Sequence, residues 1–199
     1  VVGMVSIWAI RLAGFLFVRV RRVGKDIRFD SVKTKPSTFL VWWTLQALWV
    51  LTTMAAALAV VTGGDRVPMS WLGWIGFGVW LFGFAVEVAA DAQKSSFKKD
   101  PSHQGQFIRT GLWAWSRHPN YFGEIVLWTG VAVMAIPVLT GWQYATLISP
   151  VFVSFLLMKM SGVPLLERKA DERWGGQEDY EAYKAATPVL IPRPPSTEK

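Results

Sequence analysis

The chain alternates long apolar blocks with short charge-rich stretches, and that pattern decides which folds are open to it. A soluble domain of 199 residues would spread its apolar residues along amphipathic helices or strands around one core. Here the blocks approach the roughly 20 residues that cross the hydrocarbon of a bilayer. Val1 to Val18 is one block, interrupted by Arg11. Phe39 to Thr62 carries no charge, and Trp71 to Ala90 carries only Glu87. Ile125 to Lys159 exceeds a single span. Pro137 and the Thr140–Gly141 pair divide it into a hairpin of two short helices. The expectation is an all-α, polytopic membrane bundle of five segments, one integral membrane domain over residues 1–199.

Composition agrees, with 52% hydrophobic residues and a mean hydropathy of +0.29. The absence of cysteine excludes disulfides and thiolate metal sites. His103 and His118 are the only histidines, too few for a His-based centre, so no metal is expected. A net charge of +7 would suit nucleic acid. The basic residues cluster beside apolar blocks instead, which is the topology signal of membrane proteins. The expected partner is a lipid bilayer and not nucleic acid.

Arg19, Arg21, Arg22, Lys25, Arg28, Lys33 and Lys35 follow the first block, whereas 63–70 holds only Arg66. Five Lys or Arg residues fall between Asp91 and Gly123, none at the Thr140 turn, and the stretch after Met160 is rich in charge. The positive-inside rule puts the first, third and last of these regions in the cytoplasm, consistently for five segments. The opening VVGMVSIWAI lacks the basic n-region and cleavage site of a signal peptide, so the chain is expected to start inside or just before a membrane helix. The Pro-rich PVLIPRPPSTEK is expected to be extended.

Chemistry concentrates in Asp91–Glu124 and Met160–Pro192. If the third membrane helix continues past Ala90, then Glu87, Asp91, Lys94 and Lys98 fall on one face. Such a stripe is either an ion-paired helix end or a holder for a polyanionic ligand at the membrane surface. In SRHPNYFGE, Arg117 and His118 form a donor pair suited to phosphate. Asn120 and Tyr121 offer amide and phenol groups to orient a ring or ribose. Pro119 stiffens the turn, Gly123 permits close backbone approach, and Glu124 opens a membrane helix where its charge suits the dipole. Together these favour a binding site over an interfacial anchor. Glu167, Arg168, Lys169, Asp171, Glu172 and Arg173, with Trp174, Tyr180 and Tyr183, stay open between a solvated amphipathic helix and part of that site. Arg11 and Glu87 lie within apolar segments, where ionisable groups are usually paired or functional.

With these residues in view, the chain resembles the C-terminal part of the membrane steroid 5α-reductase superfamily, especially its bacterial steroid-reductase-like branch. The resemblance is densest in Ala92-Gln93-Lys94 through Phe97-Lys98, in Gly111-Leu112-Trp113, in Ser116 to Glu124, and in Ser161 to Glu167. Sterol Δ14- and Δ7-reductases share the same order of motifs. The resemblance implies a bacterial cell-membrane protein that binds NADPH at a cytoplasmic face and reduces a C=C bond of a steroid- or lipid-like substrate. By that carry-over Lys94 and Lys98 meet the cofactor phosphates, and Ile108 and Trp113 flank a ring. Asn120 and Tyr121 contact the nicotinamide half, while Glu167, Arg173 and Tyr183 match the tail motif. The implied cofactor set also takes in Asp91, Arg117, His118, Glu124 and Arg168, with Tyr121 and Glu87 as candidates for the proton-handling role. In the family, substrate pocket and proton donor draw on helices that precede this region. A second resemblance, through RHPxYxG and Asp179-Tyr180-Glu181-Ala182-Tyr183, is to the isoprenylcysteine carboxyl methyltransferases, which use S-adenosylmethionine. Lys94 and Lys98 weigh against it, because paired cations suit a pyrophosphate better.

Overall fold

The computed structural model describes residues 1–23, 35–63 and 68–195. Among them every regular element is helical. Backbone groups in hydrocarbon must find partners within their own segment, and a helix provides them. Eight α-helices follow in order among the described residues: α1 Val2–Val23, α2 Pro36–Thr53, α3 Ala55–Thr62, α4 Trp71–Lys99, α5 Pro119–Ala135, α6 Ile148–Phe155, α7 Val163–Trp174 and α8 Glu178–Ala186. Of the basic residues that set the expected topology, Lys25, Arg28, Lys33 and Arg66 lie outside the described residues.

The five expected segments become three helices long and apolar enough to cross a membrane, or four if α2 and α3 count as one. The first block supplies only a shorter apolar helix over Val2–Val18. The block read as one clean span, Phe39 to Thr62, bends by 62° between α2 and α3. Neither Pro nor Gly stands at the bend. Its physical cause is tertiary: the buried Ser149 hydroxyl of α6 donates to the Thr53 carbonyl there and so satisfies a backbone group at the break. The expected hairpin does form, with α5 ending in a 3-10 turn at Ile136–Val138 and a second such turn over Gly141–Leu147 leading into α6. Residues 188–195 are free of helix, as the proline content requires.

Packing centres on α4 and α5, which run antiparallel with glycines facing glycines. A Cβ on Gly83 would stand 2.4 Å from the Leu127 nitrogen, and one on Gly130 would stand 2.4 Å from the Trp80 nitrogen. Gly76 and Gly123 complete two reciprocal pairs in which backbone meets backbone. Lipid offers no hydrophobic drive to helix association, so close van der Waals contact of this kind supplies it. Trp80, Leu127, Trp128 and Val131 fill the core beside these contacts, joined by Met4, Ala57, Val153 and Leu157. Trp8 of α1 meets Trp128 edge-on at 5.1 Å.

α4 is 29 residues long, or about 43 Å at 1.5 Å per residue, against about 30 Å of hydrocarbon. One end therefore projects well beyond the apolar layer. Its last turns carry Lys94 and Lys98, and the start of α5 with α7, α8 and the loop 100–118 gathers around them.

Candidate functional site

The AQK and GLW motifs are two halves of one lock. Gly111 adopts φ +61°, open to glycine at little cost. A Cβ there would also stand 2.7 Å from the Gln93 amide oxygen. That oxygen accepts a hydrogen bond from the Leu112 N–H at 2.9 Å, and the Trp113 indole donates to the Ala90 carbonyl at 3.0 Å. Trp113 is thereby buried against α4, with the Lys94 ammonium 4.2 Å from its ring centroid. Because α4 does continue past Ala90, Glu87, Asp91, Lys94 and Lys98 share the expected face.

A cavity of about 570 Å³ opens over this lock, within the size range of small-molecule and cofactor sites. Of the residues singled out in the sequence, Lys94, Lys98, Ile108, Trp113, Arg117, His118, Glu167, Arg173 and Tyr183 line it. The Tyr183 hydroxyl donates to the Trp113 carbonyl at 2.8 Å, which ties α8 to the cavity floor, and burial raises its pKa above the ordinary phenol value. The wall also includes His103 and Phe107, which carry no expected binding role, and Lys169, Trp174 and Tyr180, which the sequence leaves open between a solvated helix and the site. Lys169 was legible as the partner of Arg173 one helical turn away. The loop residues were not, because their place depends on the Trp174 indole donating to the Gly105 carbonyl at 2.6 Å. Phe107 packs edge-on against Trp174 and Tyr180.

Arg117 and His118, read as a phosphate-binding pair, are both engaged by one carboxylate. Glu167 accepts from Arg117 Nη1 at 2.6 Å and meets His118 Nε2 at 2.7 Å. This contact fastens the entry of α5 to α7. His118 is buried, and burial lowers its pKa although the Glu167 hydrogen bond acts the other way. A neutral ring donating from Nε2 fits both facts, leaving Nδ1 without a partner among the described residues. The His118 ring lies parallel to that of Tyr121 at 5.5 Å.

The remaining sequence-derived residues stand outside the cavity lining. Tyr121 packs toward the core, where a Cβ on Gly162 would approach its ring to 2.9 Å. Asn120 is half-buried in the first turn of α5, and its carbonyl oxygen has no hydrogen-bond partner among the described residues. Glu124, expected to open the helix, stands a turn inside it, because Pro119 with its fixed φ begins α5. Arg168 points to solvent and pairs with Glu172 at 3.8 Å. Glu87 and Asp91 are buried and joined by Arg11 of α1, which bridges both carboxylates. The paired reading of Arg11 and Glu87 thus holds in the structure. Among the described residues no cluster of His, Cys, Asp or Glu is arranged to hold a metal.

Fold and site define a class: an all-helical integral membrane protein with a cation-rich, aromatic-walled cavity at the projecting end of its bundle. The chain belongs to the DUF1295 family of proteins of unknown function, whose match runs over residues 1–187. It is similar to 3-oxo-5-alpha-steroid 4-dehydrogenase 1 of Macaca fascicularis, with 30% identity over 118 residues, 59% of this chain and 40% of that protein. The same protein of Rattus norvegicus is 32% identical over the same shares. The probable O-methyltransferase ustE of Ustilaginoidea virens is 25% identical over 61% of this chain and 45% of its own length. The chain thus spans less than half the length of these relatives. No solved structure matches it. The resemblance to the steroid 5α-reductase superfamily is borne out by the family match and the two dehydrogenases.

Proposed function

We propose that the chain carries the NADPH-binding part of a membrane reductase acting on a C=C bond of a steroid- or lipid-like substrate. The charge balance of the cavity supports this reading best. Lys94, Lys98, Arg117, Lys169 and Arg173 line it against Glu167, the single carboxylate among the described lining residues. Such an excess suits a ligand with several negative charges and a flat ring system, since Trp113, Phe107 and Tyr183 supply aromatic walls. The volume of about 570 Å³ admits a dinucleotide in part, its remainder reaching beyond the walls.

Lys94 and Lys98 would hold the pyrophosphate, and Trp113 with Ile108 would flank a ring. Bound there, NADPH supplies a hydride for the β-carbon of an enone-like or otherwise polarised alkene. The proton for the α-carbon is a matter for the chain's own groups, and we assign it to Tyr121, because Glu87, the other candidate, is ion-paired to Arg11. His118 fixes the plane of the Tyr121 ring by stacking on it, and Glu167 fixes His118 in turn. Arg11 holds Glu87 through one carboxylate oxygen, leaving Oε2 without a hydrogen bond among the described residues. The apolar flanks of α4 and α5 give a lipid substrate a route from the bilayer. We place the cavity at the cytoplasmic face, where the basic residues beside the apolar blocks would put it.

The similarity to a probable O-methyltransferase keeps an S-adenosylmethionine site as the second reading. One measurement separates them. A ligand that binds only the folded state raises its melting temperature by mass action. NADPH is expected to raise the melting temperature of the purified chain in detergent and S-adenosylmethionine is not. The opposite ranking would transfer the site to methyl transfer.

A further inference from the structure

The proline-rich strap over 188–195, which follows α8, stands outside the lining of the cavity. It is nevertheless pinned along its backbone. The Pro188 carbonyl accepts from the Arg117 N–H at 2.9 Å, the Leu190 carbonyl accepts from the Ser116 hydroxyl at 2.8 Å, and the Arg193 N–H donates to the Trp115 carbonyl at 2.9 Å. Ile191, between those ties, is 72% exposed. A groove of about 480 Å³ lies between residues 188–194 of the strap and Met158 of the segment that continues α6. Arg193 is the one charged residue among those lining it. The groove stands where the apolar layer ends, because no charged residue occurs from Ile125 to Met158 and Lys159 is the first to follow. Ile148, Val151 and Phe155 are exposed at i, i+3 and i+7, so α6 turns one outward stripe to lipid that runs toward Met158. Trp115, also exposed, is of the residue type that gathers at a membrane–water interface. Lys159 and Arg193 are exposed at this edge, and neither is ion-paired among the described residues.

An extended segment beside hydrocarbon is costly, because its N–H groups find no water there. Pro188, Pro192 and Pro194 have no N–H, and that of Arg193 is already bonded. Val189, Leu190 and Ile191 make the rest of the strap apolar. We infer that this groove seats an anionic phospholipid of the surrounding bilayer, with its phosphate on Lys159 and Arg193 and an acyl chain along the outward stripe of α6. Continuity and charge identify the occupant. The groove opens on a face of α6 that lipid covers, and two cations stand where the phosphates of a leaflet lie. The strap that the lipid covers also takes the Arg117 N–H, one residue before His118. A seated lipid therefore steadies the entry of α5.

The chain has no cysteine, so Ile191→Cys provides a unique attachment point for a fluorescent label. The labelled chain is reconstituted in phosphatidylcholine vesicles holding a minor share of phosphatidylglycerol. Bromine atoms, which quench a fluorophore in contact with them, are placed on the acyl chains of one lipid at a time. At equal mole fraction, brominated phosphatidylglycerol should quench the label well beyond brominated phosphatidylcholine. Each cation contributes about fivefold to that preference. Lys159→Gln and Arg193→Gln should each reduce it by that factor, and the double variant should bring the two lipids close to parity. Both side chains are exposed, so the fold survives the changes, and an unaltered melting temperature in detergent checks this. The comparison of the two lipids in the parent needs neither variant. Equal quenching by both lipids there would show a strap resting on the bilayer without a headgroup site, and would overturn the inference. Quenching by neither would put Ile191 in water and do the same. Rapid disulfide joining of unlabelled Ile191→Cys chains under mild oxidation would assign the patch to a second copy of the chain, against the lipid.

Discussion

Replacing Gly83 by alanine tests whether the glycine contacts between α4 and α5 set the geometry of the whole bundle. The new Cβ would stand 2.4 Å from the Leu127 nitrogen, 2.7 Å from the Gly123 oxygen and 3.0 Å from the Leu127 Cα. All three are backbone atoms, so no side chain can swing aside. Reaching an ordinary contact of 3.4 Å requires the helices to part by 3.4 − 2.4, or 1.0 Å. A gap of that size forfeits a quarter to a half of each contact well at the interface, and overpacking of this kind costs about 1–3 kcal/mol. Alanine recovers up to about 1 kcal/mol of helix propensity. Gly78 is the internal control, because it lies on the same helix with nothing within 4 Å of a Cβ. Gly78→Ala gains the propensity term without the clash, so the two variants should differ by about 1–3 kcal/mol. Thermal unfolding in detergent, followed by tryptophan fluorescence, reads the difference. Gly83→Ala as stable as Gly78→Ala would refute the claim that backbone contact fixes the helix separation.

Lys94→Ala and Lys98→Ala should each weaken NADPH binding by about 1–3 kcal/mol, with a shallower dependence on salt; titration at two ionic strengths checks it, and unchanged affinity returns the stripe to a solvated helix end. Arg11→Met strands Glu87 and Asp91 without their shared counter-ion and should cost about 3–5 kcal/mol in thermal unfolding. Adding Glu87→Gln and Asp91→Asn should restore much of that loss, and no recovery would show that the side chain matters for packing instead. Burial lowers the His118 pKa below its ordinary value of 6.5, so between the two values the unfolded chain binds a proton that the folded chain does not. His118 therefore contributes stability that is complete above about 6.5 and is lost as pH falls through the folded value. His118→Gln should flatten the melting temperature across that window, and an unchanged acid limb would exonerate the residue.

The apolar blocks were legible because bilayer thickness fixes the length of a span, and the hairpin turn because Pro137 and Gly141 punctuate the last block. The bend at Met54 was not. Leu51-Thr52-Thr53-Met54-Ala55 reads as continuous helix, and what breaks it is a hydroxyl on Ser149, 96 residues away. The same physics explains the partners of Arg117 and His118. Their donor chemistry was visible in the sequence, but Glu167, which engages both, lies 50 and 49 residues downstream. Sequence shows which groups carry charge or a hydrogen; long-range packing decides which of them is already satisfied.

Rigidity follows from how the cavity is assembled. α4 is one unbroken helix from the apolar layer into the site, so Lys94 and Lys98 inherit its position with no hinge between. The glycine contacts hold α5 against it, which places the Arg117–Asn120 segment beside those lysines. Three ties then close the far wall. Glu167 binds the entry of α5, Tyr183 binds the Trp113 carbonyl, and the strap after α8 pairs with the GLWAWS turn. The strap's own bonds run from the Arg117 N–H to the Pro188 carbonyl at 2.9 Å and from the Arg193 N–H to the Trp115 carbonyl at 2.9 Å. Ser116, fully buried, adds its hydroxyl to the Leu190 carbonyl at 2.8 Å. Proline in that strap removes donors that the site would otherwise have to satisfy, and it lowers the entropy lost on ordering an extended segment. A ligand entering this cavity meets cations whose backbones are already fixed. The ordering cost of binding then falls on flexible Lys and Arg side chains, about 0.5–1.5 kcal/mol for each one immobilised, and not on the fold.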